Sequence, residues 1–224
     1  MSRLEIAKYI DHTLLKPEAN EKDIIQLCRE AKDYQFYAVC VNPCYVNLAA
    51  KLLTGTAVKI ATVIGFPLGA NIKEVKAFEA EQAFKAGAQE VDMVINIGAL
   101  KSGNFEVVKE DIQVVVDVAK DQVPKKVVKV IIETGLLNDI EKVKACELAL
   151  AAGADFVKTS TGFSGSGAIL TDIQLMRKVV GDKAQIKASG GIRDLKTAQE
   201  FISVGANRIG TSSGVAIVTS MSSL

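Results

Sequence analysis

The sequence alternates short runs rich in β-branched residues with longer amphipathic segments, and this alternation limits its fold more than any other feature. Short apolar runs bounded by turn residues are typical of buried strands, whereas apolar residues three or four positions apart are typical of helices. Strands that alternate with helices are expected to lie parallel and to be joined by right-handed crossovers. We predict eight strands, at residues 9–14, 37–42, 58–64, 91–97, 127–133, 155–160, 185–189 and 207–211.

The segments between these strands have the residue spacing of amphipathic helices. Three of them end at Gly87, Gly153 and Gly205, and a glycine there supplies the left-handed residue that closes a helix. The clearest helices are predicted at residues 21–32, 72–86, 104–120, 139–152, 171–180 and 195–204, with a weaker pattern at residues 47–53.

Eight strand–helix units in 224 residues fit a (β/α)8 barrel, which usually takes ~200–250 residues. We therefore predict an α/β fold, a TIM barrel formed by a single domain over residues 1–224. The alternative is an open doubly wound sheet, but such a sheet carries a Gly-x-Gly-x-x-Gly turn after its first strand. This sequence has no such turn there, and no linker or charge block marks a second domain.

The composition excludes several classes of function. The chain has 27 basic and 26 acidic residues spread along its length, so it lacks the clustered basic face of a nucleic-acid-binding protein. No run approaches the ~20 apolar residues of a membrane-spanning helix, and the N-terminal residues are too charged for a signal peptide. We expect a cytoplasmic protein with no nucleic-acid or membrane partner. The four cysteines and the single His12 lack the spacing of a metal site, so no metal is expected.

Three charged residues interrupt the predicted apolar strands. Lys158 lies in the sixth strand, Lys187 in the seventh and Asp92 in the fourth. Lysines in buried strands are rare unless they are paired or functional. In a barrel of this kind the active site lies at the carboxyl ends of the strands, so we expect these three side chains at one mouth of the barrel.

The two lysines provide a nucleophile if their side chains point inward. Neighbouring strands lie ~4.8 Å apart, so the amines of Lys158 and Lys187 are expected to approach each other, and mutual repulsion lowers the pKa of one of them. A neutral lysine amine attacks a carbonyl carbon to form a Schiff base, and we predict that Lys158 is this nucleophile. Asp92 and Lys187 are predicted to donate and accept protons. The structural alternative is that the three residues form only a buried cluster of ion pairs.

The loops after the seventh and eighth strands are rich in glycine and serine. Loops at these two positions commonly hold phosphate in such barrels, because glycine lets backbone N–H groups approach an anion. We therefore predict a phosphate site at this mouth. The predicted phosphate-binding residues are Gly162, Gly190, Gly191, Gly210, Ser212 and Ser213.

Other features near the strand ends are weaker candidates. His12, as the only histidine, is expected to be hydrogen-bonded locally and structural. Glu133 ends the fifth strand and is expected either to hydrogen-bond a substrate hydroxyl or to cap the barrel. The loop at residues 161–167 either closes over a ligand or only turns the chain.

The ordered motifs of the chain resemble those of the deoxyribose-phosphate aldolases along nearly its whole length. As a set, so many motifs in order are highly specific. The matching segments are DHTLLKP from residue 11, VCVNP from residue 39, TVIGFPLGAN from residue 62, VDMVINIGAL from residue 91, VIIET from residue 130, FVKTSTGF from residue 156, IKASGGIR from residue 186 and RIGTSSG from residue 208.

The resemblance implies a cofactor-free (β/α)8 lyase that reversibly cleaves 2-deoxy-D-ribose 5-phosphate to acetaldehyde and D-glyceraldehyde 3-phosphate. It implies that Lys158 forms the Schiff base, that Lys187 is the second active-site lysine and that Asp92 is a proton donor and acceptor. Some family members close the site with a C-terminal tail that ends in tyrosine, whereas this chain has no tyrosine after Tyr45. The resemblance therefore does not extend to a protonation step assisted by the tail.

Two other functions remain compatible with the individual residues. A different Schiff-base aldolase or transaldolase would also combine a lysine with phosphate loops, although the full set of motifs argues against it. A non-catalytic barrel that binds sugar phosphates would have no need of a desolvated lysine pair. The expected partners are small molecules, namely sugar phosphates and aldehydes, and the expected assembly is a homodimer.

Overall fold

A computed structural model describes residues 2–220 and contains eight parallel strands. They are β1 Ile10–Leu14, β2 Ala38–Val41, β3 Lys59–Ile64, β4 Glu90–Val94, β5 Val127–Ile131, β6 Phe156–Lys158, β7 Gln185–Ser189 and β8 Arg208–Thr211. Each strand pairs with its neighbours in the chain, and β8 pairs with β1 to close the barrel. This topology confirms the predicted (β/α)8 fold and excludes the open doubly wound sheet.

The six clear helices of the sequence are present, and each ends within one residue of its predicted boundary. Among the described residues, no helix is both long and apolar enough to cross a membrane. These helices are α2 Glu21–Asp33, α4 Lys73–Lys85, α6 Phe105–Lys120, α7 Asp139–Ala151, α8 Leu170–Val180 and α9 Leu195–Ser203, and the weaker pattern forms α3 Val46–Leu52.

Three short α-helices and two single-turn 3-10 helices, Pro43–Tyr45 and Thr134–Leu136, were not predicted, because elements of one or two turns are too short to show a periodic pattern. The three α-helices are α1 Arg3–Ala7, α5 Ile97–Lys101 and α10 Gly214–Thr219. The predicted fourth strand was wrong at its end, since Asn96 caps α5 by accepting a hydrogen bond from the Ala99 N–H at 3.0 Å. Residues 221–224, the C-terminal tail for which no tyrosine-assisted step was expected, lie outside the described residues.

Alternate residues of each strand point to opposite sides of the barrel wall. Val157 of β6 and Ile186 of β7 belong to the large apolar core between the strands and the helices. Their neighbours Lys158 and Lys187 point into the barrel, where they contact a carboxylate on β4. The alternation predicted for these two strands therefore places both lysines inside.

The barrel interior has an apolar part as well as a charged part. A small cluster on the β1–β3 side contains Leu15, Cys40, Ala61 and Val63, with Phe66 packed against it. Because β2 and β3 contribute small or apolar side chains here, the charged side chains of the interior come from the other strands.

Lys76 of α4 is fully buried and fixes the loop that follows β3. Its amine donates to the Gly69 carbonyl at 2.9 Å, to the Val94 carbonyl at 2.8 Å and to the Asp111 carboxylate at 2.6 Å. Asp111 also accepts a hydrogen bond from the Asn96 N–H at 3.1 Å. One amine therefore joins the loop after β3, the end of β4 and helix α6.

We expect the substitution Lys76→Met to lower the free energy of unfolding by about 3–5 kcal/mol, because it leaves the buried Asp111 carboxylate without its cation. Urea unfolding measures the loss. The control is Lys73→Met, since the ion pair between Lys73 and Glu110 lies on the surface with side chains 40% and 49% exposed. The control should leave the urea midpoint nearly unchanged. Equal losses in the two variants would contradict the anchoring role of Lys76.

Candidate active site

The three charged residues that the sequence singled out meet inside the barrel. Lys158 and Lys187 are direct partners in the register of β6 and β7. Both amines donate to the same oxygen of Asp92, Oδ2, at 2.7 Å each. The two amines can therefore lie no farther apart than the sum of these two hydrogen bonds, and all three side chains are buried.

Four more buried charged residues extend this group, and the sequence had assigned a catalytic role to none of them. Lys129 of β5 donates to Asp92 Oδ1 at 2.9 Å and lies 2.6 Å from a carboxylate oxygen of Glu90. Asp11 of β1 accepts hydrogen bonds from the Lys187 amine at 2.5 Å and from the Arg208 guanidinium group at 2.6 Å. We call the connected set the buried charge network; its members are Asp11, Glu90, Asp92, Lys129, Lys158, Lys187 and Arg208.

A signal for Lys129 was present in the sequence. Like Lys158, it lies in the middle of a valine-rich strand, and it is the direct register partner of Asp92. Glu90 and Arg208 were harder to identify, because each is the first residue of its strand and follows a polar residue. Polar residues at strand starts are usually solvated, and only closure of the barrel buries these two.

Burial is the main cause of the reactivity expected of Lys158. It lowers the pKa of the Lys158 amine, and the nearby Lys187 lowers it further, whereas Asp92 opposes both. The sequence had suggested both repulsion from Lys187 and poor solvation as causes, and in the structure burial is the larger of the two. A lowered pKa increases the fraction of neutral, nucleophilic amine near neutral pH.

The other two lysines of the network behave in the opposite way. Burial alone would lower the pKa of Lys187, but the carboxylates of Asp11 and Asp92 outweigh it and raise the pKa. For Lys129, Asp92 and Glu90 outweigh burial in the same way and raise the pKa. Lys158 is thus the one amine of the network whose pKa falls.

Asp92 is held as a carboxylate by its cationic partners. Burial alone would raise its pKa, but Lys129, Lys158 and Lys187 together hold the pKa of Asp92 well below its usual range. Asp92 therefore carries no proton near neutral pH, so it starts any reaction without a proton to donate.

A cavity of about 240 Å³ opens at the carboxyl ends of the strands, and Lys158 is the member of the network that lines it. Its other charged lining residues are Lys16, from the loop after β1, and Arg193, from the loop after β7. All three are basic, so the cavity is suited to an anion. Neither Lys16 nor Arg193 had been assigned to the site from sequence, because surface cations at loop positions are common.

Five of the six predicted phosphate-binding residues line this cavity with Lys158; they are Gly162, Gly190, Gly191, Gly210 and Ser212. The sixth, Ser213, does not line it. The N–H of Ser213 instead donates to the Thr211 hydroxyl at 2.9 Å. Ser213 therefore differs from the other five in that it does not face the cavity.

Two of these glycines are required by close packing. Gly190 has a φ of +89°, and a Cβ atom there would lie 2.8 Å from the Gly167 Cα. A Cβ at Gly210 would lie 3.0 Å from Lys187 Cε. The first glycine therefore lets the loops after β6 and β7 approach each other, and the second leaves the space that the Lys187 side chain occupies.

Glu133 and an aromatic pair shape the rim of the cavity. The Glu133 carboxylate accepts hydrogen bonds from the Thr161 N–H at 3.2 Å and from the Thr161 hydroxyl, so it holds the start of the loop after β6. In that loop Phe163 is half exposed, and its ring meets the ring of Phe66 edge-to-face at 5.2 Å. This arrangement favours the structural role of Glu133.

His12 and Cys40 lie near the network without lining the cavity. The His12 ring is hydrogen-bonded to Glu30 at 2.6 Å, in agreement with its expected structural role, and burial lowers its pKa. Burial, with a smaller contribution from Asp92, raises the pKa of the Cys40 thiol to about 11. Within residues 2–220, no group of three His, Cys, Asp or Glu side chains is arranged to hold a metal ion.

Comparison with known proteins identifies a family for this fold and site. The sequence model of the DeoC/LacD family aldolases matches residues 5–220. The deoxyribose-phosphate aldolase of Clostridium tetani is 63% identical over 215 residues, which cover 96% of this chain and 98% of that protein.

Solved structures give the same result. The aldolase QR15 is 44% identical with a TM-score of 0.92, over 98% of this chain and 96% of the other. The deoxyribose phosphate aldolase of Aeropyrum pernix is 38% identical with a TM-score of 0.91, over 99% of this chain and 93% of the other. Together with the family match, these similarities show that the chain belongs to the DeoC/LacD family of aldolases.

Proposed function

We propose that the chain reversibly cleaves 2-deoxy-D-ribose 5-phosphate to acetaldehyde and D-glyceraldehyde 3-phosphate through a Schiff base on Lys158. The observation that carries this proposal is that Lys158, a buried lysine with a lowered pKa, lines a cavity whose other charged side chains are cations. The relatives named deoxyribose-phosphate aldolase support the choice of substrate.

The cycle begins with the neutral Lys158 amine, which attacks the C1 aldehyde of the open-chain sugar and loses water to form a protonated imine. Asp92 Oδ2 lies 2.7 Å from this nitrogen, so the carboxylate stabilises the positive charge of the imine as it forms. The imine then serves as the electron acceptor for cleavage of the C2–C3 bond.

Asp92 and Lys187 move the protons of the cycle. Asp92 takes the C3 hydroxyl proton through a water molecule as the C2–C3 bond breaks, and D-glyceraldehyde 3-phosphate leaves. The remaining enamine receives a proton at C2 from the same pair of residues. Water then hydrolyses the imine to release acetaldehyde and the neutral Lys158. Lys187 contacts both Asp92 and Asp11, so it connects the reacting carboxylate to the rest of the network.

The phosphate group of the substrate is assigned to the glycine-rich end of the cavity, at Gly162, Gly190, Gly191, Gly210 and Ser212. Ser213 stays a prediction of the sequence, with less support because it does not line the cavity. Lys16 and Arg193 are added as cations for the phosphate. Binding of the phosphate far from the reacting bond orients the sugar over Lys158.

The wider setting of the enzyme follows from the same chemistry. A phosphorylated substrate and four free cysteines, three of them buried, are in keeping with a reducing cytoplasm. We treat residues 1–224 as one domain, because all eight strands belong to one barrel. The homodimer expected from the sequence stays a prediction.

Treatment with acetaldehyde and borohydride should leave a stable ethyl group on Lys158, because the reductant traps the imine. Mass spectrometry of peptides locates the adduct. The variant Lys158→Met should take up no adduct and should lose cleavage activity, whereas Lys183→Met, which alters an exposed lysine just before β7, should behave like the parent chain. An adduct on another lysine, or none, would remove Lys158 as the nucleophile.

The variant Lys187→Leu should move the acid limb of the pH–rate profile upward by about one to three pH units. Removing this cation raises the pKa of Lys158, so a higher pH is needed to keep the Lys158 amine neutral. Activity near neutral pH then falls roughly tenfold for each pH unit by which the acid limb moves. The pH dependence of kcat/KM measures this effect, with Lys183→Leu as the control. A fall in activity with the profile left in place would argue against the effect of Lys187 on Lys158.

The variants Lys16→Ala and Arg193→Ala should each reduce kcat/KM for the phosphorylated sugar by roughly tenfold to a hundredfold, because each removes a cation facing the phosphate. Cleavage of unphosphorylated 2-deoxyribose should change little. Lys196→Ala is the control, since that side chain is 87% exposed and does not line the cavity. Equal losses with both sugars would show that the two cations do not act on the phosphate.

A further inference from the structure

Glu90 and Arg208 form a buried ion pair at the end of the barrel opposite the cavity. Each is the first residue of its strand, and their exposed fractions are 2% and 4%. The guanidinium group of Arg208 lies 3.4 Å from Glu90, and its carbon lies 3.4 Å from the centre of the Tyr37 ring. Neither residue lines the cavity, so neither touches a substrate bound there.

The pair is nevertheless connected to Lys158 by two chains of short contacts. In the first, Arg208 donates to Asp11 at 2.6 Å, and the other oxygen of Asp11 accepts from Lys187 at 2.5 Å. Lys187 in turn shares Asp92 with Lys158.

The second chain runs through β5. Glu90 lies 2.6 Å from the Lys129 amine, and Lys129 donates to Asp92 at 2.9 Å. Every link of both chains is buried, so water screens the charges poorly along the whole path. A change of charge at Glu90 or Arg208 therefore changes the electrostatic potential at the Lys158 amine.

The network contains three carboxylates and four basic side chains. If all four basic groups were protonated, the closed barrel would hold one uncompensated positive charge, which is costly in a poorly solvated interior. If one lysine is neutral, the charges balance. The carboxylates hold Lys129, Lys187 and Arg208 in their charged forms. The neutral side chain is therefore Lys158.

The remaining strands do not alter this balance. The small cluster on the β1–β3 side contributes a neutral thiol, Cys40, and the apolar Ala61 and Val63. The ionisable groups that surround Lys158 inside the barrel are therefore Asp11 from β1, Cys40 from β2, Glu90 and Asp92 from β4, Lys129 from β5, Lys187 from β7 and Arg208 from β8. On the open side of Lys158, Lys16 and Arg193 line the same cavity.

We propose that Glu90 and Arg208 are positioning residues that set the protonation state of Lys158, in opposite directions, by fixing the net charge of the buried charge network. This proposal rests on the proposed role of Lys158 as the nucleophile. Loss of the anion Glu90 leaves the network more positive and favours neutral Lys158. Loss of the cation Arg208 leaves it more negative and favours protonated Lys158.

The test is the pH dependence of kcat/KM in three variants, with circular dichroism to establish that each is folded. Arg208→Gln should move the acid limb to higher pH by about one pH unit, and Glu90→Gln should move it to lower pH. The double variant removes one charge of each sign, so its profile should return close to that of the parent. Arg208→Lys keeps the charge and should move the profile little.

A merely structural pair gives a different result. It would lower activity in both single variants without moving the two profiles in opposite directions, and that outcome would overturn the proposal. If Arg208→Gln does not fold, the other two variants still test the proposal. The acid limb of Glu90→Gln must then lie at lower pH than that of the double variant. Absence of cleavage and of a Lys158 adduct in the parent chain would instead refute the proposed function.

Discussion

The site depends on the carboxylate of Asp92, which is fully buried and contacts three lysine amines at 2.7–2.9 Å. A carboxylate with no exposed surface has to be balanced by side chains from other strands, since solvent cannot do it. Barrel closure supplies them, because β1 and β4–β8 each place at least one charged residue inside. The arrangement of charges is thus a consequence of parallel strands that close around one axis. Lys158 lies where this buried network meets the cavity, so it is the member that a ligand can reach.

The apolar side of the interior is as important as the charged side. Leu15, Cys40 and Val63 fill the β1–β3 side, and Phe66 packs against them. This part of the barrel keeps the local dielectric low, which strengthens every ion pair in the network and makes protonation of Lys158 more costly. The two parts act together: the carboxylates keep Lys129 and Lys187 charged, and desolvation lowers the pKa of Lys158, the one lysine of the network that lines the cavity.

Much of the fold and part of the site could be predicted from the chain. The eight strands and six longest helices were recognisable because each has a periodic pattern, whereas α5 and α10 are too short to show one. Lys158 and Lys187 were recognisable as lysines within apolar strands. Arg208 was not, since a basic residue at the start of a strand is usually solvated and only the closed barrel buries it. The position of Ser213 outside the cavity depends on the turn after β8, which residue type alone does not determine.

The sequence by itself determined the fold class and the family, because hydrophobic periodicity and ordered motifs are local properties of the chain. It left open whether Lys158 and Lys187 point into the barrel, since strand alternation says only which residues share a face. The tertiary structure decided which charges meet: Asp92 reaches Lys158 across an intervening strand, and Asp11 meets Lys187 from the opposite end of the chain. It also decided what lowers the pKa of Lys158, since burial outweighs repulsion from Lys187 as a cause. Burial and long-range charge balance are properties of the closed barrel as a whole, so no single segment of the sequence contains them.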